Sequence, residues 1–427
     1  MIQAPITRQE VQDVPLGQIE AKLAQLWREA DAVTLAAGGQ IISRNSVMTL
    51  VVIARGDEQS NYVARAIEGL TGQHPSRSII LALHPEEALG SISASVSIHS
   101  HSPNYGASQV RAEQIMIHVR GNATQHIPSV VLPLLLTEMP TFVWWTGSLP
   151  NDSGIKALLE ASDRSIIDSA DFTDTEQELS YLIDLINDQG NPHVSRSAFS
   201  DFNWTRIRAW RELTAQFFDA PRFRSYLEGV ERVEIEFASD NANKPNATQA
   251  YLYAGWLASR LKWKTYTNMH TSTGAVRLGM HTNLGSPITV EITPRQGVAT
   301  RDWWATSSAE WPMELGDGQL HPAVPNEPTM GYVSNGALMR INIQSRLNGK
   351  TATFTILRED DLKSATTIVV CDGETVPQRR TPLDSNGETA LLHQQLSSFD
   401  HNNVFEDAIV ATKSMIVNDS SKIGRSR

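Results

Sequence analysis

The sequence predicts an α/β protein in two parts: an N-terminal open, mainly parallel sheet with flanking helices, followed by an α+β domain with a largely antiparallel sheet. In the first part, short runs such as TFVWW at residues 141–145 are aromatic and β-branched without polar alternation, as in strands buried on both faces. Helical segments separate these runs at the spacing of parallel βαβ units. In the second part, alternating runs flank Asn348 and Gly349, a pair that strongly favours a hairpin turn.

In the first part, apolar spacing predicts one element after another. A helix is predicted at 15–37, a strand at 47–54, a helix at 60–70, and strands at 76–83, 91–101 and 113–119. Residues 127–138 predict a buried helix that Pro140 ends; then come the strand at 141–145, a helix ending near 161, a strand at 164–168 and a helix at 179–187. Residues 91–101 alternate serine with apolar residues, which predicts an antiparallel strand with one face in solvent.

A connecting helix is predicted at residues 204–218. One face of it is apolar and carries Ile207, Trp210, Leu213, Thr214 and Phe217. Three arginines lie toward the other side: Arg206, Arg208 and Arg211. The favoured interpretation is a solvated basic face that pairs with acidic neighbours. The alternative is a contact site for a phosphate or for an acidic patch on a partner protein.

The second part is poorer in regular patterns. The sequence predicts a strand at 233–237, a helix at 247–261, a strand at 288–292 within a long Gly-, Pro-, Ser- and Thr-rich stretch, hairpin strands at 338–345 and 351–356, a strand at 365–370, and helices at 388–399 and 404–416. These patterns predict an α/β domain at 1–200, a helical bridge at 201–230 and an α+β domain at 231–427. A chain of 427 residues is long enough for two or three domains.

Bulk composition restricts the location and the partners. The net charge of −11 argues against a nucleic-acid partner, and no apolar run is long enough for a membrane span. The N-terminal residues lack a secretory pattern, and one cysteine cannot form a disulfide within the chain. We therefore expect a soluble, cytoplasmic protein with no membrane contact.

Five segments in unbroken order resemble one protein family. They are MPTFVWWTG at 139–147, ASDRSIIDS at 161–169, DFNWTRIRAWR at 201–211, HPSRS at 74–78 and YAGWLASRLKW at 253–263. Together they resemble the OpcA family, the assembly or activator protein of glucose-6-phosphate dehydrogenase in cyanobacteria and actinobacteria. The resemblance implies a non-catalytic protein that binds this dehydrogenase and promotes its active oligomer or raises its substrate affinity. Cyanobacterial relatives are described as responding to thioredoxin, which makes thioredoxin a second expected partner.

Catalytic motifs are missing from the sequence. There is no G-x-G-x-x-G, no Walker phosphate loop, no H-E-x-x-H and no nucleophile elbow, so we expect no catalytic residues and no cofactor. His99 and His101 share one face of a predicted strand, and we interpret them as a solvated pair rather than a metal site. No metal site is therefore predicted.

The alternative function uses a crevice at the carboxyl ends of the N-terminal strands, where open α/β sheets bind ligands. It would be an enzyme or sensor for a sugar phosphate or nucleotide, with walls formed by Arg55, His84, Thr146, Gly147, Ser148, Asp168 and Asp171. Arg77 and Arg164 lie at the starts of their strands, so we expect structural roles for them at the opposite edge.

Two further features carry predictions about partners. Trp303, Trp304 and Trp311 lie within nine residues of an irregular stretch, and Tyr332 follows. Buried loop packing is the simpler interpretation, but clustered aromatic residues are also typical of interface hot spots. Cys371 could form an intermolecular disulfide, yet its acidic neighbours favour an inert structural cysteine.

Overall fold

The computed structural model describes residues 7–36, 46–101, 110–147, 153–188, 197–239, 245–271, 274–296, 300–301, 314–315, 319–320, 333–383, 388–397 and 402–416. The chain divides into two compact units. The first comprises Met1–Asp168, Asp188–Ser200 and Gly387–His401; the second comprises Ser169–Asn187, Asp201–Asn386 and Asn402–Arg427. The three-part division at residues 200 and 230 stays a prediction.

Strands and helices are numbered in chain order. The strands are β1 (Thr7–Val14), β2 (Met48–Arg55), β3 (Ser76–His84), β4 (Ser91–His101), β5 (Val110–Arg120), β6 (Thr141–Trp145), β7 (Arg164–Ile167), β8 (Ala198–Asp201), β9 (Val230–Ala238), β10 (Lys264–His270), β11 (Val276–His281), β12 (Pro287–Arg295), β13 (Thr300–Arg301), β14 (Glu314–Leu315), β15 (Gln319–Leu320), β16 (Val333–Ser334), β17 (Leu338–Leu347), β18 (Lys350–Arg358), β19 (Ser364–Cys371) and β20 (Glu374–Pro382). The α-helices are α1 (Ile19–Ala36), α2 (Gly56–Leu70), α3 (Ile127–Val131), α4 (Ser153–Glu160), α5 (Thr175–Asp188), α6 (Phe202–Arg206), α7 (Arg208–Asp219), α8 (Pro221–Arg224), α9 (Thr248–Leu261), α10 (Glu388–Leu396) and α11 (Asn403–Ile416).

The first unit is built on an eight-stranded sheet in the order β1-β4-β5-β3-β2-β6-β7-β8. Strands β5, β3, β2, β6 and β7 run parallel, whereas β4 pairs antiparallel with both β1 and β5. All five residues of β6 are buried, and so are nearly all of β2 and β3, which is the pattern of strands that are covered on both faces. The prediction of a mainly parallel sheet with an antiparallel section is confirmed.

Strand β4 corrects the prediction of a solvent face. Ser95 and Ser97 are buried as well as the apolar residues between them. The chain reverses direction at β4, as predicted, but β1 extends the sheet beyond it and α2 lies over the serine side. The serine side of β4 is therefore a buried polar layer and not a solvent-exposed face.

The buried segment before β6 is less regular than predicted. Instead of one helix over residues 127–138, the chain forms α3, one turn of 3-10 helix at Leu132–Leu134 and a turn. Pro133 explains the interruption, because it lacks the N–H that a continuous helix needs at that position, whereas Pro128 lies in the first turn of α3, where proline is tolerated.

The second unit is built on another eight-stranded sheet, in the order β10-β11-β12-β9-β17-β18-β19-β20. Only β12 and β9 are parallel, so the largely antiparallel prediction is confirmed. The β17–β18 hairpin turns at Asn348 and Gly349, both with positive φ, as the sequence predicted. Short pairs also join β13 to β16 and β14 to β15.

Helices close one face of this second sheet. Phe354 on β18 is fully buried, and its ring centroid lies 4.7 Å from that of Phe218 and 5.5 Å from that of Phe217, both on α7. The predicted connecting helix breaks at Ile207 into α6 and α7, but its apolar face is buried as predicted. Helix α9 packs closely on α11, since a Cβ added at Gly255 would lie 2.2 Å from the Ala408 carbonyl oxygen.

Nine of the described strands were not predicted: β1, β8, β10, β11, β13, β14, β15, β16 and β20. Most residues of β10 and β20 are exposed, and these strands form the two edges of the second sheet. Strands at an exposed edge lack the buried-face periodicity that reveals a strand in sequence. Within the described residues, no helix is long and apolar enough to cross a membrane.

Candidate functional site

The carboxyl ends of β2, β3, β5, β6 and β7 meet at one edge of the first sheet, because these strands are parallel. The residues of the predicted crevice occupy this edge in the following way. Arg55 and His84 are the last residues of β2 and β3, Thr146 and Gly147 follow β6, and Asp168 follows β7. Asp171 belongs to the second unit, and Ser148 lies outside the described residues.

Most of these side chains serve the local structure. The Thr146 hydroxyl donates to the Ile53 carbonyl oxygen at 2.9 Å, which ties the start of the loop to β2. The Gly147 backbone has φ +88°, a conformation that suits glycine. Asp168 is buried, with 1% of its surface exposed, whereas Arg55 is exposed. The crevice itself stays a prediction.

His84 is the crevice residue that the structure surrounds with titratable groups. Its Nε2 lies 3.3 Å from Asp57 Oδ1, and the Nδ1 of His118 lies 3.2 Å from the same oxygen. The two imidazole rings stack with centroids 5.8 Å apart. Glu86 and Glu87 lie on the other side of His84, at 4.0 and 3.9 Å from its Nδ1.

The electrostatics of this group follow from burial. Desolvation lowers the pKa of His118, Arg120 and His84 lower it further, and Asp57 opposes the shift. Arg120 is itself paired with Glu87 at 3.1 Å. His118 is therefore neutral at neutral pH, with a lone pair on one ring nitrogen.

At the opposite edge, Arg77 and Arg164 are buried, as expected for structural roles. The Arg77 Nε donates to Glu113 at 2.8 Å, and its Nη1 donates to Glu20 at 2.5 Å and to the Leu134 carbonyl oxygen at 3.0 Å. Burial acts to lower the pKa of Arg77, but the two carboxylates outweigh it and raise the pKa. The Arg164 Nη1 donates to the Gln395 carbonyl oxygen at 3.2 Å.

The three arginines of the connecting helix do not share one environment. Arg208 forms an exposed pair with Glu212 at 2.7 Å, which fits the acidic-neighbour interpretation. Arg206 is partly buried and donates to Asn203 at 3.2 Å. The Arg211 guanidinium lies 3.4 Å from the centroid of the Trp204 ring, and burial lowers its pKa to about 10. Partner binding by these arginines stays a prediction.

The interpretation of His99 as half of a solvated pair is wrong. Only 2% of its surface is exposed, and its Nε2 lies 2.7 Å from Gln114 Oε1 and 3.0 Å from Ser97 Oγ. Burial, together with the charge of Arg8, lowers the pKa of His99 to about 4. His99 is a neutral core residue that bridges β4 and β5. The side chain of His101 lies outside the described residues.

The remaining predicted sites are only partly visible. Trp303, Trp304, Trp311 and Tyr332 lie outside the described residues. Cys371 ends β19 and is half-buried, with its sulfur 3.4 Å from the Tyr226 hydroxyl. A role for any of them in partner binding or redox control stays a prediction.

A cavity of about 320 Å³ opens in the second unit beside α7 and α9. Its lining is mainly apolar and includes Phe218, Trp256 and Trp263, while Arg224 and Arg260 supply positive charge. Arg260 forms an ion pair with Asp407. The sequence showed the apolar face of the connecting helix but not the space beside it.

Two family models match the chain in consecutive order. The first is described as a glucose-6-phosphate dehydrogenase subunit N-terminal domain and matches residues 67–183. The second is described as the C-terminal domain of the same subunit and matches residues 197–409. Together the two matches cover well over half of the chain. The chain belongs to the OpcA family.

Named relatives agree with the OpcA assignment. Proteins called "Putative OxPP cycle protein OpcA" from Synechocystis sp. and Nostoc punctiforme are both 32% identical to the chain, over 198 and 206 residues. These matches cover 45% and 47% of this chain but only 38% and 41% of the relatives. A third, from Synechococcus elongatus, is 33% identical and covers 49% of this chain and 43% of its own length.

Solved structures add no functional argument for this OpcA family member. A 3-ketoreductase from Actinomadura kijaniata in complex with NADP aligns over 86% of this chain and 95% of its own, with a TM-score of 0.42 and 10% identity. A similarity at this level supports no inference about function.

Asp57 and His118 were missed as site residues of this OpcA family member. His84 and His118 are 34 positions apart, and they come together because β3 pairs with β5 although β4 intervenes in sequence. Asp57 joins them because α2 begins at the end of the neighbouring β2. The only available signal was that all three residues lie near the carboxyl ends of predicted strands, and strand order cannot be read from that signal.

Proposed function

We propose that this chain is a non-catalytic protein that binds glucose-6-phosphate dehydrogenase and promotes its active oligomer or raises its substrate affinity. The observation that supports the proposal is the consecutive match to two domains described as parts of a glucose-6-phosphate dehydrogenase subunit. The relatives' names, which refer to the OxPP cycle, point in the same direction.

The proposed mechanism is thermodynamic linkage. An activator must bind the dehydrogenase conformation with high substrate affinity better than the conformation with low affinity. Coupling of this kind is about 1–3 kcal/mol, or roughly 5- to 150-fold in apparent affinity. Activation should therefore appear mainly as a lower half-saturation concentration for glucose 6-phosphate.

Copurification combined with kinetics tests this proposal. A tagged full-length chain is mixed with purified dehydrogenase, complex formation is measured by size-exclusion chromatography, and the saturation curve is recorded with and without the chain. The expected result is a complex and a shift of at least about 5-fold in half-saturation. An unchanged curve at saturating concentrations of the chain would refute activation, even if a complex forms.

A variant pair probes the contact surface. We expect Trp303→Ala combined with Trp304→Ala to weaken dehydrogenase binding while the fold is retained, because clustered aromatic residues dominate interface energetics. Tyr266→Ala is the matched control, since this aromatic side chain on β10 is 62% exposed but lies outside the cluster. Equal dehydrogenase binding by the double variant and the control would show that Trp303 and Trp304 do not contribute to the interface.

Non-catalytic character is tested on the chain alone. The sequence holds no phosphate-binding loop and no catalytic motif, so purified protein should not turn over glucose 6-phosphate with nicotinamide nucleotides. Steady product formation that Asp168→Asn abolishes would show that the chain is an enzyme.

The alternative function is a sensor for a sugar phosphate or nucleotide at the carboxyl edge of the first sheet. The buried imidazole of His84 at that edge favours it, because open α/β sheets bind ligands there. A ligand at about 100 times its dissociation constant stabilises the folded protein by about 2.7 kcal/mol, which a thermal-shift screen detects. A shift with a sugar phosphate or nucleotide that His84→Gln removes would support the sensor.

A further inference from the structure

Two buried ring nitrogens at the carboxyl edge of the first sheet have no hydrogen-bond partner among the described residues: Nε2 of His84 and Nδ1 of His118. Both nitrogens lie at ion-pair distance from Asp57 Oδ1, at 3.3 and 3.2 Å. A buried polar atom without a partner is destabilising, and native structures rarely keep two side by side. The two imidazoles and the Asp57 carboxylate therefore suit a shared ligand such as a cation.

The fold places these three residues on one side of the sheet. His118 pairs with Ala82 in the β3–β5 register, so it lies on the same face of the sheet as His84, two residues along. Asp57 is the second residue of α2, which begins as β2 ends on the other side of β3. Strands β3 and β5 and helix α2 thus each place one candidate ligand atom at the same point.

The distances suit a metal ion. The three candidate ligand atoms lie within 4.8 Å of one another. An ion held at about 2.0–2.2 Å from imidazole nitrogen and carboxylate oxygen brings neighbouring ligand atoms to roughly 3.0–3.4 Å in octahedral or tetrahedral geometry. Both Asp57–His distances, 3.3 and 3.2 Å, fall in that interval.

We propose that Asp57, His84 and His118 bind one divalent transition-metal ion. Two imidazoles and one carboxylate suit Zn²⁺ or Fe²⁺ and are poor ligands for Mg²⁺ or Ca²⁺, which prefer oxygen. Three protein ligands leave at least one coordination position for water or for an anionic ligand. The site opens toward solvent through Asp57, whose side chain is 62% exposed.

The surroundings agree with a cation at this point. Glu86 and Glu87 lie near the far nitrogen of His84, where a carboxylate commonly orients a metal-binding imidazole. The positive charge of Arg120 is offset by its pairing with Glu87.

A direct test uses the full chain, stripped of metal with a chelator and titrated with Zn²⁺ against a chromophoric competitor. The expected result is one Zn²⁺ per chain, with binding weakened at least about 10-fold in each of Asp57→Asn, His84→Gln and His118→Gln. Co²⁺ should give an absorption spectrum of a nitrogen- and oxygen-ligated ion in the wild type and lose it in the variants. A large excess of Mg²⁺ should not displace Zn²⁺.

Controls separate this site from unspecific binding and from misfolding. His270 lies 3.4 Å from Glu176 and offers one imidazole and one carboxylate away from the proposed site. The His270→Gln variant should therefore bind Zn²⁺ as the wild type does. Asp57→Asn changes an exposed side chain, so its circular dichroism should match that of the wild type. Absence of stoichiometric binding, or wild-type affinity in a folded Asp57→Asn variant, would overturn the proposal. Because no dehydrogenase is present, the outcome is independent of the proposed function.

Discussion

The two eight-stranded sheets place their charged residues in opposite surroundings. In the first sheet, Arg77 and Glu113 form an ion pair at 2.8 Å with only 6% and 3% of their side chains exposed. In the second sheet, charged residues form a network on one face, where Arg232, Glu234 and Glu291 are 38%, 24% and 17% exposed. Strands β2 and β3 of the first sheet are buried on both faces, whereas β9 and β12 of the second sheet alternate buried with more exposed residues.

This difference shows that the same residue types have different structural roles in the two sheets. Glu113 joins three elements, because it accepts from Arg77 on β3 and from the Trp27 indole of α1 while it lies on β5. Glu291 on β12 lies directly opposite Glu234 on β9, and Arg232 and Arg277 offset that repulsion. Buried pairs fix how elements dock, whereas the exposed network neutralises charge along a surface.

Removal of the buried carboxylate should have the largest effect. Glu113→Ala leaves the Arg77 guanidinium buried with one carboxylate fewer, and we expect the free energy of unfolding to fall by about 3–5 kcal/mol. The free energy of unfolding is measured by urea titration with circular dichroism as the signal. Glu20→Ala is the matched control, because Glu20 binds the same guanidinium but is 54% exposed and should cost roughly 1 kcal/mol or less. Equal losses in the two variants would contradict the comparison.

The buried histidine of the first sheet should make stability depend on pH. The pKa of His99 is about 4 in the folded state and 6.5 in the unfolded state, so the unfolded chain binds the proton first as pH falls. Stability is fully present above pH 6.5 and is lost between 6.5 and about 4, by about 2–3 kcal/mol at pH near 4.5. The measurement is urea unfolding of wild type and His99→Gln at neutral and acidic pH. An identical pH dependence in both proteins would show that His99 is not the titrating group.

The exposed network of the second sheet should tolerate the same kind of change. Glu291→Ala removes an ion-pair partner from both Arg277 and Arg232, but the two arginine side chains can then be solvated by water. The change also relieves the repulsion between Glu291 and Glu234. We expect a loss of about 1 kcal/mol or less in the free energy of unfolding, which becomes smaller still in high salt. A loss as large as that of Glu113→Ala would mean that this face is buried in the folded protein.

Cys371 on the second sheet should have the smallest effect. Its sulfur is half-buried against Tyr226, and a redox switch within one chain would need a second cysteine. We expect Cys371→Ser to activate the dehydrogenase as the wild type does, in both reducing and oxidising buffer, with or without thioredoxin. If oxidation reduces activation by the wild type alone and thioredoxin restores it, Cys371 forms an intermolecular disulfide that thioredoxin reduces.

The two sheets also differ in how far the sequence revealed them. Buried parallel strands such as β6 were predicted to the residue, because a short run of β-branched and aromatic residues between Pro140 and Gly147 is typical of a buried strand. The edge strands β10 and β20 were missed because their side chains are mostly exposed and carry no periodic signal. The sequence also placed His84 at the carboxyl edge, but not beside Asp57 and His118, because that neighbourhood depends on strand order.

Reciprocal linkage provides the most direct test of the proposed function. If the chain raises the affinity of glucose-6-phosphate dehydrogenase for its substrate, then glucose 6-phosphate must tighten the complex between the two proteins by the same factor. Titration calorimetry of the chain into the dehydrogenase, with and without saturating glucose 6-phosphate, measures that factor. We predict a dissociation constant at least about 5-fold lower with substrate, equal to the shift in half-saturation. No detectable complex in either condition, or a complex that substrate weakens, would contradict the proposed function.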